Sequence, residues 1–187
     1  MSGPDGRPAP TGEPVGKLGA DRLAGLRAVL AEVMDPELPF LSLTDLGVLR
    51  DVRLGERGQV VVELTPTYSG CPALEAMSQD VVAALTRHGV AEVEVRIGLL
   101  PAWSTDDLTD HGRRQLAAAG IAPPGRATPS VVGLGPTRLL VATTPACPLC
   151  GSADTEELSR FAATSCQSLW RCSTCREPFP HFKALPA

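Results

Sequence analysis

The chain has 187 residues, of which 43% are hydrophobic and 20% are charged, and its formal net charge is −4 at pH 7. This length is sufficient for one domain of ordinary size with a small appended domain, and for a hydrophobic core. The acidic balance argues against nucleic acid as a partner, which would favour a basic surface, and no stretch of about 18 apolar residues could span a membrane.

The N-terminal segment, residues 1–19, is rich in glycine and proline and poor in large apolar side chains. Such a composition cannot bury enough surface to offset the conformational entropy lost on ordering, so we predict a flexible tail. The segment also lacks the apolar core of a secretory signal, which indicates a cytoplasmic protein.

A first domain is predicted over residues 20–101, and it begins with a helix. Asp21 is a favourable N-cap residue, and the apolar residues after it are three or four positions apart, as on one face of a helix: Leu23, Leu26, Leu30 and Val33. Pro36 and Pro39 remove backbone donors and disfavour the helical conformation of the residues before them. The helix should therefore end at about Met34.

The next segments predict a hairpin, a second helix and a third strand. Apolar residues alternate on both sides of the turn "GERG" in "GVLRDVRLGERGQVVVELTPT", which is typical of a β-hairpin. "VAEVEVRI" predicts the third strand. Before it, apolar residues at helical spacing end at Gly89, namely Leu74, Met77, Val81 and Leu85. Because each helix has one apolar face, we predict an α+β domain of order α-β-β-α-β, with both helices on one face of a small sheet.

Residues 102–136 are predicted to form a peripheral helix and a linker. Ser104 or Thr105 can cap a polar helix that Gly120 ends. The stretch that follows, up to Pro136, is rich in proline and glycine, which predicts a loop between two domains. The remaining residues, 137–187, should therefore form a second, small domain.

Four cysteines in two CxxC pairs, Cys147 with Cys150 and Cys172 with Cys175, characterise this second domain. Each pair can form a tight turn that directs two thiolates to one point, and two pairs supply the four sulfur ligands of a tetrahedral zinc site. A segment this short has little core, so metal binding would contribute to its folding. We predict a closed, structural zinc site in a zinc ribbon, with iron or a redox-active disulfide pair as the alternatives.

Two further cysteines, Cys166 and Cys71, lie outside these pairs. Cys166 is interpreted as a small buried hydrophobic residue, with an auxiliary metal ligand or a reactive thiol as the alternative. Cys71 precedes Pro72, which suits the first position of a helix. Free N–H groups and the helix dipole favour a thiolate at such a place, so Cys71 is predicted to be either a nucleophilic, metal-binding thiolate or a packed side chain.

Three carboxylates, those of Asp35, Glu37 and Asp45, lie in the loop after the first helix. A solvated turn is the default interpretation for them. If this loop approached the start of the second helix, the carboxylates would add negative charge beside Cys71.

Two segments resemble a known family of domains. "VMDPELPFLSLTDLGVLRDV" and "TPTYSGCPALEAM" resemble the small iron–sulfur assembly domain of bacterial SufT-like proteins and eukaryotic cytosolic iron–sulfur targeting factors, whose signatures are a DPE turn and a single cysteine before a helix. Together with "PAWSTDDLTDHGRRQLAAAGIAPP" and the cysteine-rich tail, residues 21–185 resemble the PaaD family, which belongs to the bacterial phenylacetyl-CoA epoxidase systems.

This resemblance implies an accessory role in aerobic phenylacetate catabolism, not catalysis of the epoxidation. The implied cargo is iron or an iron–sulfur cluster, held transiently, and the implied partners are the reductase and oxygenase components of the epoxidase and the iron–sulfur assembly machinery. By the resemblance, the site of the first domain consists of Asp35 and Glu37 in the DPE turn, Thr44 and Asp45 at the start of the "TDLG" loop, and the reactive cysteine Cys71. The resemblance also implies four zinc ligands in the second domain, namely Cys147, Cys150, Cys172 and Cys175.

Two other classes of function stay open. The chain could be a structural subunit that scaffolds the oxygenase, or a thiol enzyme that uses Cys71, although no histidine lies near Cys71 in sequence to act as its base. Oxygenase or reductase chemistry is not predicted, because the sequence has no ExxH pair and no GxGxxG segment opening a helix. A homodimer is kept as an alternative to a monomer.

Overall fold

The computed structural model describes residues 15–68, 70–125 and 144–184. The predictions made for residues 1–14, for most of the linker and for the ends of the second domain lie outside these ranges. In chain order the elements are helix α1 (Val15–Leu30), strands β1 (Leu49–Leu54) and β2 (Val60–Leu64), helix α2 (Leu74–Arg87), strand β3 (Val93–Ile97), a 3-10 turn (Thr105–Asp107), helix α3 (Asp110–Ala118), and strands β4 (Thr155–Ser159), β5 (Gln167–Cys172) and β6 (Pro178–Phe182). None of the described helices has the length and hydropathy needed to cross a bilayer.

The first sheet has the strand order β1-β2-β3 and confirms the predicted α+β fold. Val52 of β1 lies opposite Val62 of β2 in an antiparallel ladder, and Val62 lies opposite Val95 of the parallel strand β3. Helices α1 and α2 contact each other and the sheet, and their apolar residues join those of the strands in one core. The hairpin, α2 and β3 therefore form where the hydrophobic spacing predicts them.

Helix α1 differs from its prediction at both ends. It begins at Val15 and not at Asp21, because no proline interrupts the chain after Pro14, so residues 15–19 are helical and do not belong to a tail. It ends at Leu30, where the backbone tightens: the amide of Val33 donates to the carbonyl of Leu30 at 3.2 Å. The predicted apolar face is nonetheless correct, since Leu26, Leu30 and Val33 are buried.

The segment of residues 103–122 belongs to the core, so its prediction as peripheral was wrong. Trp103, Leu108, Leu116 and Ile121 are all buried in the same hydrophobic cluster as the sheet and the two helices. The indole N–H of Trp103 donates to the carbonyl of Leu46 at 2.8 Å. A few large apolar residues in a largely polar sequence are enough to bury this segment, because they lie on one side of it.

Close approach at Gly47 allows this packing. Gly47 has φ +74, and a Cβ at this position would collide with the carbonyl oxygen of Asp107. The Asp107 side chain accepts a hydrogen bond from Arg50 at 2.8 Å, and Arg50 lowers the pKa of this carboxyl group. A glycine and an ion pair thus hold the 3-10 turn against the turn that precedes β1.

The second sheet, with strand order β4-β5-β6, packs on the first part of the chain. Ala122 donates to the carbonyl of Pro180 at 2.8 Å, and Phe182 donates back to the carbonyl of Ala122 at 3.0 Å. The ring of Phe182 lies 5.8 Å from that of Trp103, centroid to centroid. The ribbon, as we call residues 144–184, therefore shares a core with the first domain.

We predict that Phe182→Ala destabilises the whole fold, because it removes a ring that is 1% exposed and leaves a cavity beside Trp103. The expected loss in free energy of unfolding is about 3–5 kcal/mol in urea denaturation. Phe161→Ala is the matched control, since this ring is 65% exposed and lies under the Lys183 ammonium, so its loss should cost about 1 kcal/mol or less. Equal losses for the two variants would contradict the shared core.

Candidate functional site

The four cysteines of the CxxC pairs come together in the ribbon. Their sulfur atoms all lie within 4.8 Å of one another, and among the described residues they are the one group of three or more His, Cys, Asp or Glu side chains that could hold a metal ion together. The sulfur of Cys147 is 3.8 Å from that of Cys175, and the sulfur of Cys150 is 3.5 Å from that of Cys172. The two pairs thus interlock and form one cluster.

Two similar turns direct the sulfur atoms inwards. In the first, the amide of Gly151 donates to the carbonyl of Cys147 at 2.8 Å, and in the second the amide of Arg176 donates to the carbonyl of Cys172 at 2.9 Å. Gly151 and Arg176, each directly after the second cysteine of a pair, have φ of 76 and 65. Among the described residues, Arg176 is the one non-glycine residue with positive φ. The second turn therefore holds the backbone of Arg176 in a conformation that is strained for a residue with a side chain.

The distances fit a tetrahedral metal site. Zinc–sulfur bonds of about 2.3 Å place the sulfur atoms of a tetrahedron about 3.8 Å apart, close to the separations in this cluster. The amide of Cys175 donates toward the sulfur of Cys172, and this hydrogen bond lowers the pKa of the Cys172 thiol to about 6. Although backbone hydrogen bonds oppose the change, contacts with the neighbouring sulfur atoms raise the pKa of Cys150 and that of Cys175, so Cys172 is the first of these thiols to ionise and the others lose their protons when metal binds. Four thiolates fill such a site completely, so it is suited to structure and not to exchange of ligands.

Cys71 lies before helix α2, but it is further from the first helical residue than the sequence predicts. The helix begins at Leu74 with Ala73 as its N-cap residue, so Pro72 lies in the preceding turn and not at the first helical position. The backbone N–H groups of Ala73 and Leu74 lie near the sulfur of Cys71 and act to lower the pKa of its thiol. The thiol is partly exposed and packs against the edge of the core.

The DPE loop folds on the side chain of Asp35. Its Oδ1 accepts hydrogen bonds from the amides of Glu37 and Leu38, both at 2.8 Å, and its own amide donates to the carbonyl of Leu41 at 2.8 Å. Asp35 is 3% exposed, and burial raises the pKa of its carboxyl group. Burial and the charge of Asp35 also raise the pKa of Glu37. The loop therefore presents two carboxyl groups that share one small region.

The same loop approaches Cys71 and reverses the predicted shift of its pKa. Burial raises the pKa of the thiol most, and the charges of Glu37 and Asp35 raise it further, against the lowering effect of the Ala73 and Leu74 amides. The shift is therefore opposite to the one that the helix terminus alone predicts. The helix terminus acts as predicted, but desolvation and two nearby carboxylates outweigh it.

The other two predicted residues of the first domain, Thr44 and Asp45, have different surroundings. Thr44 is exposed in the turn before β1, and Asp45 accepts hydrogen bonds from Thr109 Oγ1 at 2.6 Å and His111 Nδ1 at 2.9 Å. Although burial opposes the change, hydrogen bonds from Thr109, His111 and Ser42 lower the pKa of Asp45. Asp45 thus fastens the start of α3, and it is not among the charges that act on Cys71.

Cys166 lies closer to the DPE loop than the sequence indicated. It is 8% exposed, as the interpretation as a buried residue expects, and the hydroxyl of Thr164 lies 3.0 Å from its sulfur. Burial raises the pKa of this thiol, and Glu37 and Asp35 raise it further. The sequence does not predict that Cys166 is close enough to the DPE loop to be affected by its charges. The loop after β4 and the DPE turn are more than a hundred residues apart in the chain, so no local pattern connects them.

Comparisons with known proteins match both parts of the chain. Residues 24–96 match the family model of the iron–sulfur cluster assembly protein, and residues 135–183 match that of the PaaD zinc beta ribbon domain. A putative 1,2-phenylacetyl-CoA epoxidase subunit from Escherichia coli (strain K12) is 42% identical over 159 residues, which are 84% of this chain and 90% of that protein. A "Fe-S protein maturation auxiliary factor" of Porphyromonas gingivalis is 32% identical and covers 47% of this chain and 84% of that protein.

A solved structure supports the fold of the first domain. The crystal structure of a "domain of unknown function DUF59" from Bacillus anthracis is similar with a TM-score of 0.50 and 29% identity, and the match covers 54% of this chain and 96% of that one. The matched share is about half of this chain, whereas nearly all of the other chain is matched.

Metal removal should unfold the ribbon and weaken the first domain. Chelation under reducing conditions leaves four clustered thiols without the ion that joins them, and Phe182 and Cys166 then lose their place in the shared core. Hydrogen exchange should show protection lost in residues 144–184 and reduced in residues 103–122. Cys150→Ser should reproduce this result, whereas Ser173→Ala, an exposed change beside Cys172, should not; unchanged protection after chelation would contradict a structural metal.

The pH dependence of alkylation at Cys71 should reveal its raised pKa. A thiol with a raised pKa is less ionised at neutral pH, so Cys71, followed by mass spectrometry of its peptide, should react more slowly than free cysteine at pH 7, with a midpoint at higher pH. Glu37→Gln removes a negative charge and should move the midpoint to lower pH. Glu75→Gln, an exposed change in the first turn of α2, should leave it unchanged; a midpoint below that of free cysteine would restore the helix-terminus prediction.

Proposed function

We propose that this chain, which belongs to the PaaD family of phenylacetyl-CoA epoxidase proteins, is a non-catalytic accessory factor that delivers iron or an iron–sulfur cluster to a component of the epoxidase. The 42% identity over most of both chains shows the family. The match of residues 24–96 to an iron–sulfur assembly model, and relatives named as maturation factors, support a role in iron–sulfur maturation.

The observation that carries this proposal is the position of Cys71 beside Asp35 and Glu37. The partly exposed Cys71 thiol and Glu37 carboxyl group offer a sulfur and an oxygen ligand for iron, and the buried Asp35 adds negative charge, without the four thiolates that would retain a cluster. The carboxylates attract the incoming cation, and together with the partly exposed thiol they leave room for the ligands of a client protein.

The raised pKa of Cys71 suits transfer better than storage. A thiol must lose its proton to bind metal, so a proton competes with the cargo more effectively when the pKa is high. At neutral pH, binding is weakened by this competition, and the cargo leaves more readily for a client with several thiolates. Cys71 is then the residue that holds the cargo. Glu37 is the charge that attracts the cargo, and together with burial it keeps the free thiol protonated.

The ribbon would hold a zinc ion for structure alone. Cys147, Cys150, Cys172 and Cys175 form a closed set of sulfur ligands that fits zinc, and the ribbon packs on the first domain through Phe182. When bound, the ion supplies folding free energy to a segment with few buried apolar residues of its own.

The proposed client is the reductase component of the epoxidase, since the family resemblance implies a reductase that carries an iron–sulfur cluster. The factor would act in the cytoplasm, with the reductase, the oxygenase components and the general iron–sulfur assembly machinery as its partners. A scaffold subunit is the second candidate, and the exposed apolar side chains Leu100, Leu149 and Phe161, which a stable partner would cover, favour it.

Iron–sulfur content of the reductase distinguishes the two candidates. The reductase is purified anaerobically from cells that carry the wild-type protein, the Cys71→Ser variant or no copy, and its iron and sulfide are measured per polypeptide. We expect low cluster occupancy in the second and third strains at normal reductase levels, because the cargo then lacks its sulfur ligand. Ser78→Ala, in the same helix α2, is the control and should give wild-type occupancy; full occupancy in all strains would contradict delivery to the reductase and favour the scaffold.

A further inference from the structure

We propose that strand β3 pairs with β3 of a second copy of this chain, antiparallel and about a two-fold axis at Val95, so that the two three-stranded sheets join into one. This inference goes beyond the proposed function and does not depend on it. It concerns the outer edge of β3 and the groove beside that edge, and the groove is lined by none of the residues assigned to the site of Cys71.

Strand β3 is an edge strand, since it pairs with β2 and, in the described part of the chain, with no strand on its other side. The carbonyl of Glu92 accepts from the amide of Val60 at 2.9 Å, and the amide of Gly98 donates to the carbonyl of Leu64 at 2.9 Å. Backbone groups alternate in direction along a strand, so the N–H and C=O groups of the odd-numbered residues of β3 point away from β2. These residues are Val93, Val95 and Ile97. Within the described ranges their outward backbone groups have no hydrogen-bond partner.

The opposite edge of the same sheet, formed by β1, is protected by side chains. The amide of Val52 donates to the Asp51 carboxylate at 2.8 Å, and the carbonyl of Val52 accepts from the Arg27 guanidinium at 2.9 Å. The pairing of β1 with β2 is also irregular between Leu49 and Asp51. Strand β3 has neither device, because it keeps five successive residue pairs with β2 without irregularity. Its edge is therefore a regular template for a further strand.

The charges of β3 select one register for this pairing. Glu94 and Arg96 lie on the face of the strand opposite to Val95, and Nε of Arg96 donates to Glu94 at 2.7 Å. An axis at Val95 places Glu94 opposite Arg96 of the second copy, twice in the dimer by symmetry. An axis at Glu94 or at Arg96 would instead place like charges directly opposite each other, which is destabilising.

The same register agrees with the direction of the backbone groups. Val95 points its N–H and C=O groups outward, so at the axis the two copies of Val95 exchange both hydrogen bonds. Val93 comes opposite Ile97 of the second copy, which makes another hydrogen-bonded pair. Glu94 and Arg96 then form the pairs without backbone hydrogen bonds, in which side chains lie closest together. Charge and hydrogen-bond geometry therefore favour the same axis.

Helix α2 and β3 leave a groove of about 690 Å³ that the second copy would fill. One side of α2 lines it together with Val95, and Val82, in the middle of this side, is 38% exposed. With the axis at Val95, the two copies of α2 lie antiparallel on the same face of the joined sheet, which covers Val82. Glu75 in the first turn of α2 then comes toward Arg87 in the last turn of the other copy, so the ends of the groove are also complementary in charge.

Analytical ultracentrifugation of the reduced, full-length protein over a range of concentrations tests this inference. We expect the wild type to form a dimer in a concentration-dependent equilibrium. Glu94→Arg and Arg96→Glu each place like charges opposite one another at two positions of the dimer, so each variant alone should raise the Kd of dimerisation at least about tenfold. The two variants mixed should associate with each other more tightly than either does with itself, because one strand then carries two positive charges and the other two negative charges.

Two controls separate this interface from other causes of weakened association. The double variant Glu94→Arg with Arg96→Glu restores opposite charges at both positions and should dimerise as the wild type does. Val82→Asp should weaken the dimer, whereas Leu54→Asp, in β1 and with a matched exposure of 39% against 38%, should leave it unchanged. A dimer that neither charge variant weakens would overturn this interface, as would a wild type that stays monomeric at every concentration.

Hydrogen exchange on the wild type does not depend on how the variants fold. The amides of Val93, Val95 and Ile97 should exchange more slowly as the protein concentration rises, because pairing with the second copy protects them. The amide of Val52, which is bonded within its own chain, should show no such dependence. Protection of the β3 amides in a monomer would overturn the inference and assign this edge to another segment of the same chain.

Discussion

The packing of Phe182 on Trp103 is the contact on which the position of the ribbon against the first domain depends. It joins two segments that are each too small to bury such a ring alone, the ribbon and the polar stretch before α3. With Phe182 in place, the hydrogen bonds of Ala122 and Lys183 align β6, and the loop that carries Cys166 comes to lie on the first domain. The ribbon therefore packs on the first domain and also gathers the four cysteines of the metal-binding cluster.

Opposing electrostatic effects determine the chemistry of Cys71. The amides at the start of α2 stabilise a thiolate, whereas burial and the charges of Glu37 and Asp35 destabilise it, and the second group prevails. A nucleophilic enzyme would need the reverse balance, because a thiol that stays protonated at neutral pH attacks slowly. The same balance is favourable for a protein that must release a metal, since the proton helps to displace it.

Two kinds of thiol environment occur in one small protein. In the ribbon, four sulfur atoms lie within 4.8 Å and match a tetrahedral ion, which gives tight and closed coordination. At the DPE loop, the Cys71 thiol is influenced by the carboxyl groups of Asp35 and Glu37, and among the described residues no such cluster forms there. If the ribbon and the DPE loop both hold metal, the cargo ion would not move from the DPE loop to the ribbon, because the four ribbon sulfur atoms are already bound to the structural ion.

The sequence alone determined the order of the elements of the first domain, the spacing of the four ribbon cysteines and the turn at Asp35. Each of these depends on residues close to one another in the chain: alternating valines in the hairpin, apolar residues three or four apart in α2, and cysteines two positions apart in each CxxC turn. Tertiary structure alone decided the burial of Trp103, the separation of Asp45 from Cys71, the direction of the pKa shift at Cys71 and the place of Cys166. Burial and Coulomb interaction act through space, so these properties depend on segments that are distant in sequence and meet only in the folded chain.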